Sequence, residues 1–346
     1  MDKTDLTFWD FVVEANKESL WCDIEAAIQE WVLSVGSPGI SATYPSSRAI
    51  ESIKICPFSD DADSPDVKPV EDGGAFGERM FGNIARYAWT IHPEVATDGV
   101  SRELLLAFMK EEIFKLECAF DAYLSYEVAT NEHYREKCEK LYQMIAQDGE
   151  KRNESFAVST SVLSFNYTDQ IAEFFDGGKS GVCVNIHGRL GGEIIFGIDG
   201  KDCMDNANAV SFTKTYRLMQ RGGSQTDRLI STANVVSTAN IANLGNAINI
   251  IKYYGHSLGK ADYSYFQSIF DSINLYESKV MLVFYYPFDS SRDGNAANRW
   301  WRTELANLIN GLLVNYGATM DNKDHGKNLM HKLLLEGRLI IRGLPV

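Results

Sequence analysis

Apolar residues recur at steps of three and four through the opening stretch of the chain. Trp9, Val12 and Val13 begin a stripe that Leu20, Trp21, Ile24, Ile28, Trp31 and Val32 carry on to Gly36, the period of a helix with one face against a core. From Ser101, an N-cap type of residue, Leu104, Leu105, Phe108, Met109, Ile113, Phe114, Phe120 and Leu124 repeat the pattern. One or two long helices reaching Ile145 are predicted there. Between the two stripes, residues 37–74 contain five of the eight prolines, and residues 59–72 carry six acids against Lys68 alone. That composition predicts a long solvated loop.

Beyond residue 155 the period shortens. Short apolar runs at 158–165, 182–186, 194–198, 248–254, 280–286 and 339–341 read as buried strands. Helical patterns lie between several of them, at 168–175, 212–219, 261–276 and 299–316. Strands alternating with helices predict an α/β fold with a largely parallel sheet covered on both faces. The expected organisation is a mainly helical region over 1–150, with its acidic Pro-containing loop at 37–74, and an α/β region over 151–346, the two packed as one unit.

Charge narrows the function classes. Among 346 residues, 33 Lys and Arg face 47 Asp and Glu, a net charge of −14 that repels a phosphate backbone, so a nucleic-acid partner is not expected. The basic stretch from Lys332 to Arg342 is too small to reverse this. No basic start followed by an apolar segment marks a secretory signal, and no 18-residue apolar run marks a membrane span, so a cytoplasmic location without a membrane partner is expected. Cysteines 22, 56, 118, 138, 183 and 203 show no C-x-x-C pair. They read as reduced, mostly buried thiols, and no metal is expected.

In open α/β sheets the carboxyl ends of the strands carry the chemistry. The first end is Ser164-Phe165-Asn166-Tyr167-Thr168, where the Asn166 amide either faces a crevice or closes the turn. The second is Asn185-Ile186-His187-Gly188, which leaves an imidazole suited to proton transfer beside a glycine that lets backbone or ligand come close. The third is Tyr254-Gly255-His256-Ser257-Leu258-Gly259. It spells the G-x-S-x-G elbow of a serine hydrolase, with His325 or His331 as base. The same glycine and hydroxyl turn also suits a ribose or phosphate at a helix start.

Taken in order, Phe165-Asn166-Tyr167-Thr168, Ile186-His187-Gly188, Ile195-Phe196-Gly197-Ile198-Asp199, Phe212-x-Lys214 and Gly255-His256-Ser257-Leu258-Gly259 with Asp262 and Tyr265-Phe266 resemble the AbiH family of bacterial phage abortive-infection proteins. That family in turn is similar to the sirtuin-type, Rossmann-like NAD-binding fold. The resemblance implies that Asn166 orients a ribose or a water, that His187 is the general base, and that Gly188, Gly255, His256 and Ser257 line a nucleotide. Asp262 falls at the family's characteristic acid position, its role open. Members usually open with a short strand and a G-N-G-F-D-like turn. Here no such turn precedes the first helix, and Gly73-Gly74-Ala75-Phe76-Gly77 follows the acidic loop instead of a strand.

The implied function is a cytoplasmic anti-phage effector whose sirtuin-like pocket binds, and as an enzyme hydrolyses, NAD or a related nucleotide. Two alternatives accompany it. One is a serine hydrolase built on Ser257. The other is a non-catalytic sensor that contacts a phage or host protein trigger through the aromatic pairs Trp300-Trp301, Tyr253-Tyr254 and Tyr285-Tyr286, with each pair expected to place one ring in the core and one outside. Oligomerisation is compatible with each reading.

Overall fold

The computed structural model describes residues 25, 28, 29, 32, 102–148, 160–171, 181–201, 207–220, 248–259, 262–291 and 294–345. The acidic loop at 37–74 and most of the first apolar stripe lie outside these residues, though Ile28 and Val32 are helical and buried as the stripe requires. In chain order the described elements are α1 (Arg102–Thr130), α2 (Tyr134–Gln147), β1 (Val162–Ser164), β2 (Cys183–Asn185), α3 (Ala207–Val210), α4 (Lys214–Gln220), β3 (Ile250–Tyr254), α5 (Tyr263–Ser272), β4 (Met281–Phe288), α6 (Gly294–Thr319), α7 (Lys323–Leu335) and β5 (Leu339–Pro345). The chain divides into two units. One is Met1–Ala122 with Ile195–Arg217, and the other is Tyr123–Ile194 with Leu218–Val346.

The second unit is mixed α/β with two small open parallel sheets. β1 pairs with β2, and β3, β4 and β5 pair in that order, every pairing parallel. β4 is central because Met-Leu-Val-Phe-Tyr-Tyr is apolar on both sides of the strand. Its Leu282 and Phe284 face a core built with Phe266 and Phe270 of α5, Leu312 and Leu313 of α6 and Leu333 of α7. Val283 and Tyr285 face the other way, onto Leu141, Met144 and Ile145 of α2. The sheet is thus covered on both faces, as the short apolar runs predict.

One residue from each strand of this sheet grips the end of α2. Lys252 of β3 donates to the carbonyls of Ile145 (2.7 Å), Ala146 (2.9 Å) and Asp148 (2.8 Å), the acceptors a helix leaves unsatisfied where its dipole favours a cation. Tyr285 of β4 donates to Asp148 Oδ2 at 2.6 Å, and Arg342 of β5 pairs with the same oxygen. The basic stretch at 332–342 is likewise spent internally. Lys332 pairs with Glu336, while buried Arg338 donates to Val280 O and to Glu336.

In the first unit, Glu117 and Arg217 form a nearly buried two-pronged pair at 2.6 and 2.8 Å, and Glu117 also accepts the Phe196 backbone N–H at 2.6 Å. The Phe196 carbonyl accepts from Arg217. This corrects one expectation. Residues 194–198 are buried as predicted, but they form no strand, only a single bridge from Ile198 to Thr213. Side chains satisfy the backbone polar groups that a ladder would have taken.

Other expectations are also revised. Residues 168–171 are not helical, with a turn at 170 and 171, and the remainder of the predicted 168–175 helix lies outside the described residues. Cys118 is exposed and Cys138 and Cys183 are half-buried free thiols, so none of the three described cysteines is a core residue. Burial pushes the Cys183 thiol up to about 11. Trp300 and Trp301 are both exposed, whereas Tyr285 and Tyr286 are both buried, against the expected split of one ring in and one out. No described helix is long and apolar enough to cross a membrane.

Candidate functional site

Parallel pairing brings the first two predicted strand ends out side by side. The register ends with Ser164 opposite Asn185, and Ile186 N donates to Ser164 O at 2.9 Å. Asn166 and His187 each follow two residues later. The loop after β1 is then tied down. Asn185 Nδ2 donates to the carbonyls of Asn166 (2.7 Å) and Thr168 (2.9 Å), Leu190 N donates to Tyr167 O (3.0 Å), and Tyr134 Oη shares a hydrogen bond with Thr168 Oγ1 (3.0 Å).

That anchoring sets the Phe165 ring among the catalytic-type side chains. Its centroid lies 5.6 Å from His187 and 4.4 Å from His256, both edge-on, and 5.5 Å from Phe266, stacked. Tyr265 stands 5.7 Å from His187. Two imidazoles therefore sit in a box of aromatic rings, where their edge N–H groups are held away from bulk water.

Asp262 joins them. Its Oδ1 is 2.9 Å from His187 Nε2, and its Oδ2 is 3.3 Å from His256 Nε2. Asp262 stands at the N-cap position of α5, a place where aspartate usually accepts from the helix's first N–H groups, yet it makes no side-chain cap. Both oxygens turn to the imidazoles instead. His187 is 3% exposed and Asp262 and His256 are each 13% exposed, so the three form a nearly dry cluster.

The turn between β3 and α5 fixes one of the rings. Gly255 adopts φ +68° and Leu258 φ +52°, and Leu258 tucks its side chain into the core. This brings the Leu258 N–H onto His256 Nδ1 at 2.7 Å. A nitrogen that accepts a backbone N–H carries no proton, so the His256 proton sits on Nε2, facing Asp262.

The remaining candidates separate. Asn166 and Ser257 are both exposed, and neither side chain makes a hydrogen bond to His187, His256 or Asp262 among the described residues. Ser257 has no hydrogen-bonded base there, as an elbow nucleophile needs. His325 stacks on Tyr276 at 4.0 Å, beyond the far end of α5 and so roughly 15 Å of helix away from Asp262. His331 is exposed on α7. Gly188 has φ +89°, and a Cβ there would run into the Glu193 carbonyl, so its close approach is to the chain's own backbone. Gly255, by contrast, has open space where a Cβ would stand.

Sequence reasoning picked His187, His256 and Asp262 but not their mutual contact, and it passed over Asn185 as a clamp. The signal for Asn185 was present, a polar amide inside a run otherwise apolar. Among the described residues no group of three His, Cys, Asp or Glu side chains is arranged to hold a metal ion.

A family model described as "Bacteriophage abortive infection AbiH" matches residues 7–286. No curated protein and no solved structure gives a match.

Proposed function

The chain belongs to the AbiH family of bacteriophage abortive infection proteins, and from that premise we propose that it arrests infected cells by taking NAD or a related nucleotide at the His187 end of a sirtuin-like, Rossmann-like sheet and cleaving it. The observation that carries this reading is the His187–Asp262 hydrogen bond at the carboxyl ends of parallel strands, where such sheets take their ligands. A carboxylate-held imidazole is an acid–base group.

The step is hydrolysis of the N-glycosidic bond. As the bond from the ribose anomeric carbon to the pyridinium nitrogen breaks, its electron pair leaves with neutral nicotinamide. Water adds to the oxocarbenium-like carbon and gives up a proton to His187. Asn166 orients the ribose or the water, and Gly188, Gly255, His256 and Ser257 line the nucleotide. Incubating the purified protein with NAD and following nicotinamide release tests this. Release is expected from the native chain and at least 100-fold less from His187→Ala, in the range that general acid–base groups contribute. Equal release from the native chain, Asn166→Ala and His187→Ala would sink it.

A second reading, recognition of a phage or host protein, is favoured by Trp300 and Trp301, whose rings are 55% and 42% exposed on α6. Tryptophan is enriched among the residues that anchor protein contacts. Loss of phage defence in Trp300→Ala/Trp301→Ala with nicotinamide release intact would favour this reading.

A further inference from the structure

The His187–Asp262–His256 cluster contains more information than an acid–base pair, because one of its tautomers is fixed from outside. His256 accepts the Leu258 N–H on Nδ1 and so keeps its proton on Nε2, 3.3 Å from Asp262 Oδ2. A carboxylate has acceptors only. Its other oxygen, Oδ1, is 2.9 Å from His187 Nε2, and that contact is a hydrogen bond only if His187 also carries a proton on Nε2. The helix gives up an N-cap for this arrangement, since Asp262 makes no side-chain cap to α5. An aspartate at that position ordinarily stabilises its helix by accepting the first free N–H groups.

We propose that Asp262 is a positioning residue that sets the tautomer of His187, holding the proton on Nε2 and leaving Nδ1 as the nitrogen that takes a proton. When Nδ1 is protonated the ring becomes an imidazolium, and the carboxylate 2.9 Å from its other edge stabilises the new charge. His256 does not share this task. Its Nδ1 is committed to the backbone, so its Nε2–H stays turned towards Asp262 Oδ2 at 3.3 Å. The inference rests on the proposed role of His187, but its test does not depend on turnover of any nucleotide.

The geometry gives a sharp expectation for Asp262→Asn. The introduced amide has one acceptor and one donor end. His256 cannot change tautomer, so its Nε2–H takes the amide oxygen, and the amide nitrogen is left facing His187. His187 then has to accept on Nε2 and move its proton to Nδ1. The substitution is nearly isosteric, yet it inverts one imidazole and leaves the other unchanged.

The experiment is long-range 1H–15N correlation NMR on the full chain labelled with 15N-histidine, which distinguishes protonated from bare ring nitrogens. His187→Gln and His256→Gln each remove one set of signals and assign the two rings. The native chain is expected to show both rings protonated on Nε2. Asp262→Asn is expected to move only His187 to the Nδ1-protonated form, and Asp262→Ala to leave His187 as an averaged mixture. A native His187 protonated on Nδ1 would overturn the proposal, as would an Asp262→Asn spectrum with His187 unchanged. The native spectrum decides even if a variant fails to fold. Absence of nicotinamide release together with the expected tautomers would defeat the NAD reading and leave this inference standing.

Discussion

His187 Nε2 and Asp262 Oδ1 lie 2.9 Å apart although 75 residues separate them in the chain. The contact joins the end of a two-stranded sheet to the start of the helix that follows β3, and it is nearly dry. Removing the carboxylate strands a buried N–H that has given up water. Asp262→Leu is therefore expected to cost about 1–3 kcal/mol, read as a lower urea midpoint at unchanged m-value. A stability equal to the native chain's would show that the pair is not a structural tie.

Asn185 holds the loop that carries Phe165 and Asn166, with one amide nitrogen donating to two carbonyls. Asn185→Ala removes both bonds while leaving β2 paired, for an expected loss of roughly 1–2 kcal/mol. The sharper readout is local. Hydrogen exchange at the Leu190 amide, which donates to Tyr167 O, should speed up in the variant while amides of β4 stay protected. Uniform acceleration across β4 would mean that Asn185 supports the whole unit and not this loop.

The elbow reading of Gly255-His256-Ser257-Leu258-Gly259 makes an opposite demand on the same turn. A serine nucleophile needs a base within hydrogen-bond reach, and His256 instead directs Nδ1 to Leu258 N and Nε2 towards Asp262. A fluorophosphonate probe is expected to leave Ser257 unmodified, checked by mass spectrometry of the peptide that contains it. Stoichiometric labelling would restore the hydrolase reading.

How far all this could be read from the sequence depends on which forces were local. β3, β4 and β5 were legible because buried parallel strands are apolar on both sides; the end at 257 followed from β3, and those at 166 and 187 from the runs that contain β1 and β2. The run at 194–198 misled because burial was right but the partner was not a strand. Glu117 and Arg217, 100 residues apart, satisfy the Phe196 backbone, and no periodicity reports that. α7 went unread because its stripe is thin, with only Leu329 and Leu333 fully buried in thirteen residues. The cluster at the site shows the same division. Residue types at strand ends were visible, whereas the diversion of an N-cap aspartate onto two imidazoles is a long-range event.

Asp148 gives a pH dependence with a definite sign. Burial pushes its carboxyl up, but the Tyr285 hydroxyl, Arg342 and Lys252 together outweigh that and hold it below its ordinary value. A carboxyl held low in the folded state stabilises the fold when ionised. That contribution is complete above the ordinary carboxylate pKa of roughly 3.9 and disappears as pH falls through the lower folded value. The urea midpoint of the native chain should therefore drop on going from pH 6 towards pH 3, and the drop should be shallower in Asp148→Asn. Parallel curves for the two proteins would show that the grip of the sheet on α2 does not depend on this charge.

The α6–α7 hairpin supplies the last expectation. Asn322 caps α7 by accepting from Asp324 N and His325 N, each at 3.1 Å, and the two helices then cross where Gly317 meets Gly326. A Cβ on either glycine would collide with the other's backbone. In an exposed helix interior, glycine to alanine gains about 1 kcal/mol in propensity. Here the sign reverses, because backbone cannot move aside as a flexible side chain does, and overpacking costs about 1–3 kcal/mol. Gly326→Ala and Gly317→Ala should each lower the urea midpoint. The nearby control is Gly311→Ala, where nothing lies within 4 Å of the new methyl, and it should raise the midpoint. If all three raise it, the helices part without penalty and α7 is not held against α6 by this contact. If the first two lower it and the third raises it, the crossing, and with it the packing of Leu329 and Leu333 on the face of the sheet that α5 also covers, is set by the absence of two side chains.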